Sequence, residues 1–223
     1  SPYKNLSWRL TGPDNRSGRC TDVAGITGNP NIIYAAFATG GLWKTEDAGN
    51  TWVSLFDKEA TLSIGNMAIA PSDNSILYVG TGEANIFRAS LPGVGMYKSV
   101  NAGKSFTPIG LENTGTIARV VVHPKNASIV YAAASGNEWT YNKDRGVYRS
   151  IDGGKTWKNI LFESNKSGCI DLVMDPSDPN TLYASMWNRI RRRWSDPVPE
   201  DGDHIYKTTD GGNTWRIISA GLP

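Results

Sequence analysis

Short apolar or alternating runs recur along this chain, divided by Gly, Pro, Asn and Asp. The clearest are NPNIIYAA, SDNSILYVG, KNASIVYAA and DPNTLYAS, which place Tyr34, Tyr78, Tyr131 and Tyr183 in one column. Before them lie further apolar runs such as NMAIAP, ARVVVHP and DLVMDP; after them come runs such as TWVSLF and TWKNIL. Rich in Val, Ile, Tyr and Trp, these read as strands, and no stretch carries sustained helical periodicity with caps.

Between the third and fourth run of each unit stands a repeated phrase: KTEDAGNTW, KSVNAGKSF, RSIDGGKTW and KTTDGGNTW. Its Ser/Thr positions, Thr45, Ser99, Ser150 and Thr208, are spaced by 54, 51 and 58 residues. Four strands in a unit of about 50 residues are the signature of a propeller blade. The sequence therefore predicts an all-β propeller of four-stranded antiparallel blades. One domain over 1–223 is expected, with blades at about 18–56, 62–110, 115–162 and 167–219.

A catalytic motif is needed once, so four copies point to structure. Asp47, Asn101, Asp152 and Asp210 can accept backbone N–H groups of a turn. Gly49, Gly103, Gly154 and Gly212 permit positive φ. Trp52, Phe106, Trp157 and Trp215 are expected to anchor each hairpin in the apolar layer between blades. One carboxylate per turn is a poor metal ligand set, and the second copy has neutral Asn101.

These phrases resemble the Asp-box (BNR) repeat of a propeller superfamily that includes sialidases, sortilin-type receptors, xyloglucan-specific endoglucanases and secreted bacterial proteins. The opening GRCTDVAGITGNPNIIYAAFATGGLWKTEDAGNTW is most similar to the sortilin-like propellers of large secreted bacterial proteins. The resemblance implies the fold, not the function, because enzymes and binding proteins share it. It also implies a secreted, periplasmic or cell-surface location. Such propellers usually have more than four blades, so part of a larger propeller is expected. The alternative is a small closed ring, in which KNLSWRL near the start supplies the closing outer strand. The resemblance further implies that xyloglucan-cleaving relatives place a catalytic Asp before a Gly-Gly pair. Ala38, in Phe37-Ala38-Thr39-Gly40-Gly41, stands there instead. The Arg-Ile-Pro phrase of sialidases is absent.

In this kind of propeller the loops between strands two and three share one face with the blade-to-blade connections. They are the variable ones here: 11, 21, 19 and 25 residues separate the column tyrosine from the repeated phrase. They hold the candidate binding residues Glu83 and Arg88 in the second unit, and Glu138, Trp139 and Tyr141 in the third. The fourth contributes Trp187, Arg189, Arg191, Arg192, Arg193 and Trp194. Aromatic residues beside arginines are typical of binding hot spots. Asp22, Asn66, Arg119 and Asp171 share a column expected to face the central channel, where they would pair with one another. Glu83 with Glu138 is the remaining carboxylate pair that could act across that channel.

Composition narrows the picture. Among 223 residues the net charge is +2, too small to imply nucleic acid. No apolar run reaches the 18 or so residues of a membrane helix. Two histidines and two cysteines are too few for a metal site, and no cofactor is expected. The cysteines, Cys20 and Cys169, fall in the same column of the first and fourth units. They are read as buried free thiols, or as a disulfide if four blades close. The expected function is thus a non-catalytic extracytoplasmic binding or assembly module with a protein or glycan partner. A glycoside hydrolase or its remnant is the alternative.

Overall fold

The computed structural model describes residues 18–85, 90–188 and 203–219. The KNLSWRL segment, Arg88, Arg189, Arg191, Arg192, Arg193 and Trp194 lie outside the described residues. Within them, sixteen strands form four antiparallel sheets, each a simple meander. Blade 1 joins β1 (Cys20–Ile26), β2 (Asn29–Phe37), β3 (Gly41–Thr45) and β4 (Val53–Ser54). Blade 2 joins β5 (Ile64–Ala70), β6 (Asp73–Thr81), β7 (Met96–Ser99) and β8 (Thr107–Pro108). Blade 3 joins β9 (Ile117–Val122), β10 (Val130–Ala134), β11 (Gly146–Ser150) and β12 (Lys158–Leu161). Blade 4 joins β13 (Ser167–Met174), β14 (Leu182–Asn188), β15 (Ile205–Thr208) and β16 (Arg216–Ile217).

The core lies between blades. Tyr34, Ala36 and Leu42 of blade 1 meet Ile64, Met67, Leu77 and Val79 of blade 2. Similar layers join blade 2 to blade 3 and blade 3 to blade 4. The tyrosine column crosses these layers, and each buried hydroxyl reaches a backbone carbonyl of the next blade. Tyr34 donates to Ala102 O at 3.2 Å, Tyr78 to Ala127 O at 2.8 Å and Tyr131 to Gly211 O at 3.1 Å. Apolar burial drives the stacking, and these bonds satisfy the one polar atom each ring carries into it.

Each repeated phrase closes the hairpin from third to fourth strand. Thr45 Oγ1 accepts Gly49 N–H at 2.9 Å and donates to Asp47 Oδ1 at 2.8 Å. Asp47 then accepts Thr51 N–H at 2.8 Å and Thr51 Oγ1–H at 2.6 Å. Ser150, Asp152 and Thr156 repeat the network, as do Thr208, Asp210 and Thr214. In blade 2 the Asn101 amide donates to Ser105 Oγ at 2.8 Å, where a carboxylate would accept. The four ring anchors are half-buried. Phe106 packs 4.9 Å from Phe56 of blade 1, and Trp157 donates Nε1–H to Ile109 O of blade 2 at 2.6 Å. Trp52, with no blade before it among the described residues, donates into its own turn at Gly49 O.

These hydrogen bonds hold the Asp47 carboxyl down at about 2, with Asp152 and Asp210 also below the ordinary carboxylate range; Thr51, Thr156 and Thr214 are the leading donors. A depressed folded-state pKa gives stability that is complete above the unfolded value near 3.9 and is lost as pH falls toward about 2. The melting temperature should therefore drop through that window. An Asp47→Asn, Asp152→Asn, Asp210→Asn triple variant should show a flatter acid limb. An equally steep limb in thermal scans from about pH 5 to pH 2 would refute the assignment.

Candidate functional site

Each inner strand carries an irregularity one residue before the channel column. The pairings shift at Cys20/Asp22, Ile64/Asn66 and Cys169/Asp171, and in blade 3 at Ala133/Ala134. A bulge re-aims the side chain that follows it. Asp22 Oδ2 accepts Asn66 Nδ2–H at 2.8 Å and Met67 N–H at 3.1 Å. Asn66 Oδ1 accepts Val120 N–H at 2.8 Å. Arg119 cannot accept, and instead donates Nε–H to Asp171 Oδ1 at 2.7 Å. The column thus stitches neighbouring inner strands together, blade to blade.

The bulge residues Thr21, Gly65, Ala118 and Ile170 line a cavity of about 550 Å³. Arg119 and Asp171 stand in its wall, and Asn85 from the β6–β7 loop and Trp187 rim it; Trp187, expected in the loop after the second strand, instead stands near the end of β14, paired with Gly168 of β13. Arg119 and Asp171 are each more than two-fifths exposed, so this pair meets solvent and contributes little stability. Its weight is electrostatic: a cation and an anion fixed side by side, with an indole next to them.

The alternation of strands puts the loops after β2, β6, β10 and β14 on the face shared with the blade connections. The bonds show it: Gly82 N–H reaches Ser63 O, Gly93 N–H reaches Gly115 O and Ser135 N–H reaches Thr116 O. The repeated turns lie on the other face, where Ala102 N–H, Gly153 N–H and Gly211 N–H reach Ser75 O, Ser128 O and Asn180 O. A second cleft, of about 540 Å³, sits on that side among Lys98, Asp152 and Trp157. Its walls are groups already joining blade 2 to blade 3, so it is a seam of the stack.

Trp139 is 46% exposed and Tyr141 49% exposed. Both sit on the β10–β11 loop, and the Lys166 ammonium lies 5.4 Å from the Tyr141 ring centre. What fixes this loop is Arg145, which reading the sequence missed. It is 1% exposed and, among the described residues, is the largest fully buried side chain. Nη1 donates to Ser135 O at 2.8 Å and Lys166 O at 3.1 Å; Nη2 donates to Asn137 O at 2.5 Å and Thr140 O at 2.9 Å. Gly136 makes room, since a Cβ there would come within 2.4 Å of Arg145 Cγ. Burial pulls the guanidinium down to about 10, so it stays charged at neutral pH.

Two expectations need correction. Glu83 does not reach the surface: it is 2% exposed and its carboxylate faces Arg19. Its own N–H is drawn to Leu91 O, which folds the loop over it. Glu83 therefore cannot work with half-buried Glu138 across an open channel. The cysteines are both free and differ in burial: Cys169 is buried, Cys20 exposed. Cys169 packs between blades 3 and 4, and burial raises its thiol pKa; the matching side of blade 1 has no neighbour among the described residues. Asp203 accepts Asn188 N–H at 2.6 Å and His204 Nδ1 lies 2.5 Å from Glu163. Among the described residues no cluster of three or more His, Cys, Asp or Glu forms a metal site.

Four stacked meanders, each closed by the same turn, Asp-centred in three of them and built on Asn101 in blade 2, define Asp-box β-propeller blades whose loop face carries the open aromatic groups. The family model described as "Sortilin, neurotensin receptor 3" (Sortilin-Vps10) matches residues 95–222, and the chain belongs to that family. A probable oligoxyloglucan-reducing end-specific xyloglucanase of Neosartorya fischeri is 26% identical over 97% of this chain and 25% of its own length. A xyloglucanase of Hypocrea jecorina is 26% identical over 98% of this chain and 27% of its own. The chain thus spans about a quarter of the curated relatives it matches. In fold it is similar to an ancestral GH74 enzyme, with a TM-score of 0.67 and 23% identity over 97% of this chain and 27% of that one. It is also similar to a YCF48 structure titled as bound to D1 peptide: TM-score 0.55, 15% identity, 98% of this chain and 60% of that one.

Proposed function

We propose that this chain is a non-catalytic binding module, working outside the cytoplasm, that holds a protein or glycan partner on its second-to-third-strand loop face. The observation that carries the reading is the exposure of Trp139 and Tyr141 on the same face as the Trp187-rimmed cavity. Large rigid aromatics lose little entropy on binding and offer broad apolar area. The Arg119–Asp171 pair and Lys166 add polar groups that fix orientation. The peptide-bound YCF48 propeller supports the protein alternative.

A hydrolytic reading is favoured by the xyloglucanase names of the curated relatives. Glycoside hydrolysis needs two carboxylates facing one cleft, about 5–10 Å apart. Asp171 is the carboxylate among the described lining residues of the cavity, and Arg119 holds it. Ala38 is fully buried and has no group to transfer a proton.

The test is retention on an array of peptides and xyloglucan oligosaccharides, with hydrolysis followed in parallel. A Trp139→Ala, Tyr141→Ala, Trp187→Ala variant should lose affinity by roughly tenfold or more, about 1.4 kcal/mol or above. Unchanged retention by the folded variant would rule out this face. Xyloglucan turnover that vanishes on Asp171→Asn or Glu138→Gln would establish the hydrolytic reading instead.

A further inference from the structure

The channel column runs as a relay across two seams and changes at the third. Asp22 Oδ2 takes Met67 N–H, and Asn66 Oδ1 takes the equivalent Val120 N–H of the next blade. From blade 3 to blade 4 the equivalent donor is Leu172 N–H, which turns to its own Asp171 Oδ1 at 2.9 Å. Arg119 has no acceptor to offer it, and donates Nε–H to the same oxygen.

This change leaves chemistry unspent. Asp22 and Asn66 each use both side-chain polar atoms in the relay or its own turn. Among the described residues, Arg119 Nη1 and Nη2 donate to no partner and Asp171 Oδ2 accepts from none. The two side chains are 42% and 45% exposed and open on the cavity of about 550 Å³. Sites for small molecules span roughly 300–1,000 Å³. Beside the pair the wall is apolar: Ile170 is 37% exposed, and Ala84 and Ala118 also line the cavity. In a propeller the inner strands face the axis and further blades add around it, so this aspect of the pair does not depend on blade number.

We propose that Arg119 and Asp171 bind a free α-amino acid with an apolar side chain. Its carboxylate pairs with Arg119 Nη1 and Nη2, its ammonium with Asp171 Oδ2, and its side chain turns to Ile170. A guanidinium edge matches a carboxylate bidentately. A simple anion would meet Asp171 at close range, and a simple cation would meet Arg119. The pair therefore selects a ligand that carries both charges on neighbouring carbons. The site rests on the reading of this chain as a binding module, but not on Trp139 or Tyr141.

Equilibrium dialysis of the 223-residue chain against L-phenylalanine, N-acetyl-L-phenylalanine and L-phenylalaninamide tests this. The free amino acid should bind saturably, and each blocked analogue about tenfold or more weaker. Arg119→Asn gives blade 3 the residue type that blade 2 has in the column. It should accept Leu172 N–H, keep the melting temperature and weaken L-phenylalanine binding by about tenfold or more. Asp171→Asn should weaken the free amino acid by a similar factor and leave the N-acetyl analogue no weaker. A Trp139→Ala, Tyr141→Ala variant should bind L-phenylalanine as wild type does. Loss of retention on the peptide and oligosaccharide array with that binding intact would then strike the loop-face reading alone. Three results would overturn the proposal: no saturable binding of L-phenylalanine at millimolar concentration, blocked analogues that bind as well as the free amino acid, or an affinity that Arg119→Asn leaves unchanged.

Discussion

Replacing Arg145 with methionine is expected to destabilise the chain by about 3–5 kcal/mol, because several buried carbonyl acceptors lose their donor together. The guanidinium satisfies four backbone carbonyls, from Ser135, Asn137, Thr140 and Lys166. Without it these acceptors are stranded in an interior that water reaches poorly, at about 1–3 kcal/mol each before relaxation. Methionine keeps the volume, so the loss reports the hydrogen bonds and not a cavity. Arg145→Lys should fall between, since a single ammonium cannot fork to four acceptors. Denaturant unfolding measures the effect, and limited proteolysis should cut the 134–146 loop sooner in the variant. A loss under about 1 kcal/mol would mean the carbonyls find other donors.

The second large effect separates backbone strain from packing. Gly154→Ala meets two penalties: φ of +93° and a Cβ 2.5 Å from Ile109 Cδ1. Left-handed strain and overpacking together should cost about 2–5 kcal/mol. Gly49 has nearly the same φ, +94°, but among the described residues its Cβ would meet only its own Trp52, at 3.9 Å. Gly49→Ala should therefore cost only the backbone part, about 1–3 kcal/mol. Equal losses in the two variants, measured by chemical unfolding, would show that the turn glycines are not wedged between blades.

That contrast explains how much the sequence revealed. The blades were legible because the Asp-box turn is a local device: Ser/Thr, Asp, Gly and Thr close it within eight residues, so its spacing survives in the chain. The channel column was legible for the same reason, since a bulge before Asp22, Asn66 and Asp171 recurs at fixed register. Burial of individual charged residues was not. Arg145 sits in NKDRG and reads as a solvated loop residue, yet its acceptors converge from the β10–β11 loop and, in Lys166, from the connection between blades. Glu83 reads as a loop carboxylate and is folded under by Leu91, eight residues on. Cys20 and Cys169 share a column and differ in burial because, among the described residues, only Cys169 has a blade packed on that side. Each of these depends on a neighbour that periodicity does not name.

The repeated turn and the loop face divide the labour in this account: one side holds the blades together, the other meets a partner. Hydrogen–deuterium exchange, with and without the peptide or xyloglucan oligosaccharide retained in the array, tests that division most directly. Protection is expected in 90–95, 134–146 and 182–188, with the turns around Asp47, Asn101, Asp152 and Asp210 unchanged. Protection confined to those turns, with the loop face unaltered, would contradict it.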